Sequence, residues 1–262
     1  MASTAVEVSA AAEALWEAGI RKRPCPPLSD SCPHLTLAQG YEVSRLNFER
    51  GLRQFKTVAV GKKIGLTSSA VQKKFGAAAP IFGRLSSAMT VESGGVLAPG
   101  ALIAAKVEGE VAFLLKRELR GPGVTREAVL AATDAVAPAI EIVDSRVKDW
   151  KLRLQDLVAD NSASALFVMG PPRRRLGDLD LRAMKMTMKK NGRVEATGRG
   201  TDCLGDPVLA VAWLANNSGE ALLPGDIVLS GAFGPLVSFQ EGDHCEMEME
   251  GLGALSFTYG QN

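Results

Sequence analysis

The sequence predicts an α+β protein, with a small helical N-terminal part followed by a domain rich in antiparallel strands. Three observations carry this. Residues 3–20 are Ala-rich with Leu15, Trp16 and Ile20 as apolar anchors, the pattern of a helix. From about residue 96 the chain breaks into short β-like runs divided by Gly, Pro and Asp turns. Met184, Met186 and Met188 alternate with Lys185, Thr187 and Lys189, and the run meets Asn191-Gly192, a strong hairpin signal. A boundary near residue 95 divides the chain into a region 1–95, which includes the first strands, and a domain 96–262.

The elements follow in order. Pro24, Pro26, Pro27 and Pro33 stop the first helix. Thr36 opens a second, with Gln39 at the capping-box spacing and Tyr41, Phe48, Leu52 and Phe55 on one face as far as about residue 55. Val58 to Leu66 reads as a strand and turn, interrupted by Gly61-Lys62-Lys63. Val107 to Leu115 and Ala139 to Val143 read as strands, and between them Thr125 caps a helix over Arg126 to Val136. The run Arg173-Arg174-Arg175 reads as a solvated loop. Beyond the Asn191-Gly192 turn the chain returns through Arg193 to Thr197. Asp206-Pro207 starts a helix that reaches about Asn217. Ile227 to Ser230, the run from Asp243 to Glu250, and Ala254 to Tyr259 close the chain as strands.

Composition excludes several classes. With 262 residues, 46% of them hydrophobic and 23% charged, the chain is of globular type. Thirty Lys and Arg against 29 Asp and Glu give a net charge of +1, so no global field attracts nucleic acid or an anionic membrane. No apolar run approaches the roughly 18 residues that span a bilayer. Glu7, Glu13 and Glu17 rule against an N-terminal signal or transit peptide. Cys25, Cys32, Cys203 and Cys245 match no zinc spacing and read as reduced thiols of a cytoplasmic protein. The two histidines, His34 and His244, leave any metal site to oxygen ligands.

Glu108 and Glu110 lie two apart in Lys106-Val107-Glu108-Gly109-Glu110-Val111, so a strand points both to one face while Val107 and Val111 take the other. The apolar neighbours place that strand inside. Two shielded like charges need a positive partner, and a hard divalent cation selects oxygen ligands. In Ala139-Ile140-Glu141-Ile142-Val143 the isoleucines take the core face and leave Glu141 on the other. If the two strands meet, three carboxylates can hold one side of an octahedral ion; otherwise each makes an ordinary salt bridge. Lys62-Lys63 is no phosphate loop. Its lysines either sit in a surface turn, or one is buried beside the ion and serves an enolate oxygen or a proton transfer. Asp160-Asn161-Ser162-Ala163-Ser164 lines a pocket or caps a turn.

Several of these segments together resemble the 2-keto-4-pentenoate hydratase / 4-oxalocrotonate decarboxylase family. Gly61 to Ser68 is similar to its G-x-K-x-G-L-T-S segment, Lys106 to Phe113 to its K-V-E-x-E-I-A-F, and Pro138 to Arg146 to its P-A-I-E-V-x-x-S-R. Val158 to Asn161 and the tail from Pro224 to Leu255 also fit. The resemblance implies a fumarylacetoacetate hydrolase-like mixed β roll and a Mg2+ or Mn2+ site at Glu108, Glu110 and Glu141. It further implies a catalytic lysine at Lys63 and substrate contacts at Leu66, Asn161, Ser164 and Gly231.

The implied reaction is hydration of a short 2-hydroxy-dienoate, such as 2-hydroxypenta-2,4-dienoate, in catabolism of aromatic rings after meta cleavage. The alternatives are decarboxylation of 4-oxalocrotonate, or a non-catalytic subunit of such an enzyme. A homo-oligomer and a complex with a hydratase or decarboxylase partner are implied too. Two positions depart from the pattern. Ile81 stands where hydratases of the family commonly carry an acid in P-D-F-G, and Ser162-Ala163 stands where Ala-Ser is common. Val228 to Pro235, in contrast, resembles the hydratases' L-S-G-A-L-G-P.

Overall fold

The computed structural model describes residues 2–171 and 176–260, and the Arg173–Arg175 run lies outside them. The N-terminal part consists of α1 (Ala2–Arg21), the short α2 (Leu28–Ser31) and α3 (Leu37–Gln54). Next come β1 (Ala59–Gly65), α4 (Ser69–Phe75), β2 (Ile81–Ser86), β3 (Thr90–Val91), β4 (Gly95–Leu97) and β5 (Lys106–Leu115). They are followed by α5 (Arg126–Ala132), β6 (Thr133–Val143), α6 (Leu154–Ala159), β7 (Ser164–Met169), β8 (Lys185–Lys190) and β9 (Arg193–Arg199). The tail holds α7 (Pro207–Asn217), β10 (Ile227–Leu229), β11 (Val237–Ser238), β12 (His244–Met249) and β13 (Gly253–Tyr259). No helix of the described residues is long and apolar enough to cross a membrane.

Thr36 caps α3 as the spacing predicts, with both halves of the capping box formed. The buried face of that helix differs from the expected one. Gly40, Val43 and Ser44 are buried, whereas Phe55 is 56% exposed and stacks on Trp16. Ala11, Leu15, Leu28, Leu35 and Val43 form a small core that joins α1 to α3.

One mixed sheet runs in the order β2-β1-β10-β5-β6-β7-β3, with β11 also paired to β5; a second runs β4-β13-β12-β8-β9. Strand pairing crosses residue 95, because β1 and β2 belong to the same sheet as β5 and β6. Side chains of both sheets meet in one core, with Val107, Val111, Ile140 and Ile142 from the first and Met186, Met188, Met247 and Phe257 from the second. The sheets approach closely at Gly109, where an added Cβ would come within 2.7 Å of Met247 Sδ and 2.8 Å of Met186 Cγ. The methionines fill this interface, and their flexible thioethers suit such an irregular gap.

Two expectations need correction. The helix capped by Thr125 ends at Ala132 rather than Val136, and Thr133 already belongs to β6. Val136 pairs with Phe113 across β5 and β6, so β-branched side chains and sheet pairing outweigh the local alanine content. Lys62 and Lys63 are not a turn insert. Both lie in β1 and both are buried, their side chains on opposite faces of the strand. Each has a counter-charge on its own side: Lys62 Nζ is 3.1 Å from Glu220, and Lys63 Nζ is 3.1 Å from Glu141. Paired charge is what makes burial of two adjacent lysines tolerable.

Candidate metal centre

β5 and β6 run antiparallel with Glu108 directly opposite Glu141 and Glu110 opposite Ala139. Period-two alternation therefore turns Glu108, Glu110 and Glu141 to one face, while Val107, Ile140 and Ile142 pack into the core behind. One carboxylate oxygen from each of the three lies within 4.8 Å of the others. Glu110 and Glu141 are fully buried and Glu108 is partly exposed. Lys63 reaches this face from β1, past the short β10 that separates β1 from β5. Its ammonium donates at 3.3 Å to Glu141 Oε2. The 3.1 Å approach to Glu141 Oε1 is an ion-pair contact outside hydrogen-bond geometry.

Gly231 anchors the third carboxylate. Its N–H donates at 2.7 Å to Glu110 Oε2, leaving Glu110 Oε1 buried with no hydrogen-bond partner. The turn that aims this N–H is built around β10's end. Ser230 N–H donates to Val111 C=O, Val111 N–H to Ser230 Oγ, and the Cys203 thiol to Ser230 C=O. Gly231 has φ +100°, and Thr67 Cγ2 sits 2.4 Å from where a Cβ would stand. Only glycine suits that position. Gly231→Ala is expected to displace the amide from Glu110, weaken Mn2+ binding by about 10–100-fold and lower the melting temperature; a metal titration paired with a thermal melt checks both.

The electrostatics ask for a cation. Fully ionised, the three carboxylates face one ammonium and leave an excess of two negative charges in a shielded site. Burial, reinforced by Glu141, pushes Glu108 up to about 7 against the pull of Lys63. Burial, with Glu141 and Glu108, raises Glu110 well above the usual carboxylate range. Burial alone would lower the Lys63 amine, but Glu141, Glu108 and Glu110 outweigh it and hold the amine above its ordinary value. The two bare oxygens, Glu110 Oε1 and Glu141 Oε1, are hard donors without a hydrogen-bond partner. This donor set fits a divalent ion of the Mg2+ or Mn2+ type.

A pH dependence follows. A divalent ion requires the deprotonated ligand, so protons compete below about pH 7. Mn2+ affinity is expected to be about tenfold weaker at pH 6 than at pH 8. Stability of the metal-free protein runs the other way. The folded Glu108 binds its proton more tightly than an unfolded glutamate, so this contribution is present below pH 4.5 and is lost as pH rises to about 7. Thermal melts in EDTA should therefore be lower at pH 8 than at pH 6, and pH-independent Mn2+ binding would contradict the assignment.

The carboxylate face opens into a cleft of about 1300 Å3, lined by Lys63, Leu66, Thr67, Phe75, Ile81 and Glu108 among others. Ile81 pairs with Gly65, and its Cγ1 is 3.4 Å from Gly65's Cβ position, with Lys63 Nζ 3.7 Å from that point. An apolar side chain thus stands beside the amine. Of the four expected substrate contacts, Leu66 lines the cleft. Gly231 N–H is committed to Glu110.

Asn161 and Ser164 do not line the cleft. Asn161 accepts from Arg84 N–H and Ser44 Oγ and donates to Arg84 C=O, which ties β2 to α3. Ser164 is buried behind Ser162 and Ala163, which do line the cleft. Ser162 itself donates to Phe82 C=O, while Ser164 Oγ is buried with no hydrogen-bond partner. Sequence reasoning missed Trp150 and Arg153 as cleft residues; they lie in irregular segments without a periodic signal.

Residues 55–258 match the model of the fumarylacetoacetate (FAA) hydrolase C-terminal family. The chain belongs to that family. It is 44% identical to a 2-hydroxyhexa-2,4-dienoate hydratase of Comamonas testosteroni, over 94% of each chain. It is 42% identical to 2-keto-4-pentenoate hydratase 2 of Dechloromonas aromatica, covering 95% of this chain and 96% of the relative. Among solved structures, 4-oxalocrotonate decarboxylase from Pseudomonas putida G7, complexed with magnesium and adipate, superposes with a TM-score of 0.92 at 34% identity, covering 96% and 97% of the two chains. The fumarylacetoacetate hydrolase fold therefore accounts for both the curled mixed sheet and the strand pair that carries the glutamates.

Proposed function

We propose that this protein is a divalent-metal-dependent lyase of short 2-hydroxy-dienoates, which hydrates 2-hydroxypenta-2,4-dienoate to 4-hydroxy-2-oxopentanoate. The observation that carries this is the carboxylate triad of Glu108, Glu110 and Glu141 with the Lys63 ammonium at its edge, opening into a cleft. The hydratase names of full-length relatives at 44% and 42% identity support it. The three glutamates are the metal ligands in this reading, and Mg2+ or Mn2+ suits them. When bound, such a cation supplies Lewis-acid stabilisation to the negative oxygen of a 2-oxo acid.

The chain's own residues do the rest. Ketonisation removes the 2-hydroxyl proton and places one on C5; water then adds at C4, with a proton to C3. Lys63 is the proton-carrying group at the carboxylate face, and Glu141 holds its ammonium in position. Leu66 and Ile81 give the carbon chain an apolar wall that excludes bulk water from the dienol.

Decarboxylation of 4-oxalocrotonate is the second reading. Ile81 favours it, because it removes the acid that hydratases commonly place there, and the solved decarboxylase favours it too. In that reaction the C5–C6 bond breaks, its electron pair enters the conjugated oxo acid, and CO2 leaves. A homo-oligomer, a partner enzyme and a cytoplasmic setting accompany either reading. The test is incubation with Mg2+ and each substrate, followed by product mass. Gain of one water from the dienoate supports hydration, whereas loss of CO2 from the enedioate without hydratase turnover overturns it.

A further inference from the structure

Three consecutive residues that carry side chains, Asn161, Ser162 and Ala163, have left-handed backbone, with φ of +52°, +54° and +58°. Asparagine tolerates that region, but a left-handed Cβ crowds the following carbonyl oxygen, so Ser162 and Ala163 are strained. Residues held in this way persist only where their surroundings over-determine them, and they cluster at functional sites. Here the turn joins α6 to β7, and Ser162 and Ala163 line the cleft together with Lys63. The turn also presses on the strand beside that lysine. Gly83 pairs with Lys63 across β1 and β2, so the two share a face. A Cβ at Gly83 would stand 2.4 Å from Asn161 C=O.

Arg146 brackets the turn. Its Nη2 donates to Asp160 C=O just before the turn, and its Nη1 donates at 3.1 Å to Ser164 C=O just after it. Its Nε donates to Asp160 Oδ1, and its backbone N–H donates at 2.9 Å to Asp160 Oδ2. Within the bracket, Ala163 N–H donates at 2.9 Å to Asp160 C=O, and Asp144 N–H donates at 2.8 Å to Ala163 C=O. Burial pushes the Asp160 carboxyl up to about 6 against the pull of Arg146. An ion pair at this depth adds little stability over apolar packing of the same volume. What this pair adds is geometry, because one planar guanidinium fixes both ends of three strained residues.

We propose that Arg146 is a positioning residue of the reaction: through Asp160 and the two carbonyls it holds the left-handed turn against β2, and so sets the flank of Lys63 and the cleft wall made by Ser162 and Ala163. The role rests on the reading of Lys63 as the proton-carrying group, but not on the choice between hydration and decarboxylation. Arg146 is paired with Asp160, whereas Lys63 is paired with Glu141. Its loss is therefore expected to act on proton transfer rather than on the metal.

The test compares Arg146→Met and the milder Arg146→Lys with the unaltered full chain. Turnover is measured in Mg2+ on 2-hydroxypenta-2,4-dienoate and on 4-oxalocrotonate, with Mn2+ titration and amide hydrogen exchange of the segment 159–165 alongside. Arg146→Met is expected to lower kcat by about 10^2-fold, to leave Mn2+ affinity unchanged, and to speed exchange of the segment by at least about tenfold. Arg146→Lys keeps the charge but not the planar fork, so it should fall between; it replaces the methionine variant if a melt shows that variant to be unfolded. Adding Ala163→Gly to either variant removes strain from the left-handed backbone without restoring the clamp, and should recover about tenfold of the lost kcat. Unchanged kcat in the folded Arg146 variants, Mn2+ affinity that falls in step with kcat, or a loss that Ala163→Gly leaves untouched overturns the proposal. Unchanged exchange of the segment overturns the clamp whatever the chemistry. An unaltered chain that turns over neither substrate overturns the reading of the site and the positioning role together; an active chain whose Arg146 variants are equally active overturns the positioning role alone.

Discussion

Glu108→Gln is expected to cut Mn2+ affinity by at least about 100-fold and turnover by about 10^3-fold or more. The same exchange should raise the melting temperature of the metal-free protein. In the absence of an ion, Glu108 faces Glu141 directly across the strand pair and lies beside Glu110, so a neutral amide relieves repulsion. The opposite signs of the two effects make the result diagnostic. A glutamate engaged in an ordinary salt bridge would lose stability on becoming glutamine and leave metal binding alone. Mn2+ titration, steady-state kinetics and melts in EDTA together read all three quantities.

Lys63→Met is expected to separate chemistry from metal binding. Loss of the proton-carrying amine should lower kcat by about 10^2–10^4-fold, while Mn2+ affinity is kept or rises because the cluster becomes more negative. The metal-free protein should be destabilised by about 3–5 kcal/mol, since Glu141 would remain buried without its cation. Metal addition should recover most of that loss. Lys63→Arg keeps the charge but replaces a mobile ammonium by a planar group that does not give up its proton, so it should rescue stability without rescuing turnover. Full activity in Lys63→Met would reduce this residue to a counter-ion.

The local devices of the fold were legible in the sequence. Thr36 and Gln39 cap α3, the alternating methionines and Asn191-Gly192 make the β8–β9 hairpin, and Asp206-Pro207 starts α7. So were two of the three clustered glutamates, because Glu108 and Glu110 need only the two-residue period of one strand to share a face. Their meeting with Glu141 depends on the register of β5 against β6, and the approach of Lys63 depends on β1 lying two strands away. Those are long-range pairings that no local pattern encodes.

The positions that local pattern leaves ambiguous have a common cause. Lys62 and Lys63 are open between a surface turn and a buried site in the sequence, because their counter-charges, Glu220 and Glu141, are far along the chain. Asn161 and Ser164 stay open between a ligand contact and a turn cap, because polar side chains before an apolar strand suit either. In the fold, Asn161 satisfies the backbone of Arg84, and Arg146 donates to the Ser164 carbonyl. Gly231, a substrate contact in the resemblance, aims its backbone N–H at Glu110, a contact invisible in side-chain chemistry.

The most direct measurement of the central claim is a crystal structure with Mn2+ and oxalate, using anomalous scattering to locate the metal. One strong anomalous peak bounded by the carboxylates of Glu108, Glu110 and Glu141, with oxalate oxygens on its open side toward Lys63, is the predicted result. A peak elsewhere, or three glutamates turned away from one another with oxalate absent from the cleft, would contradict it.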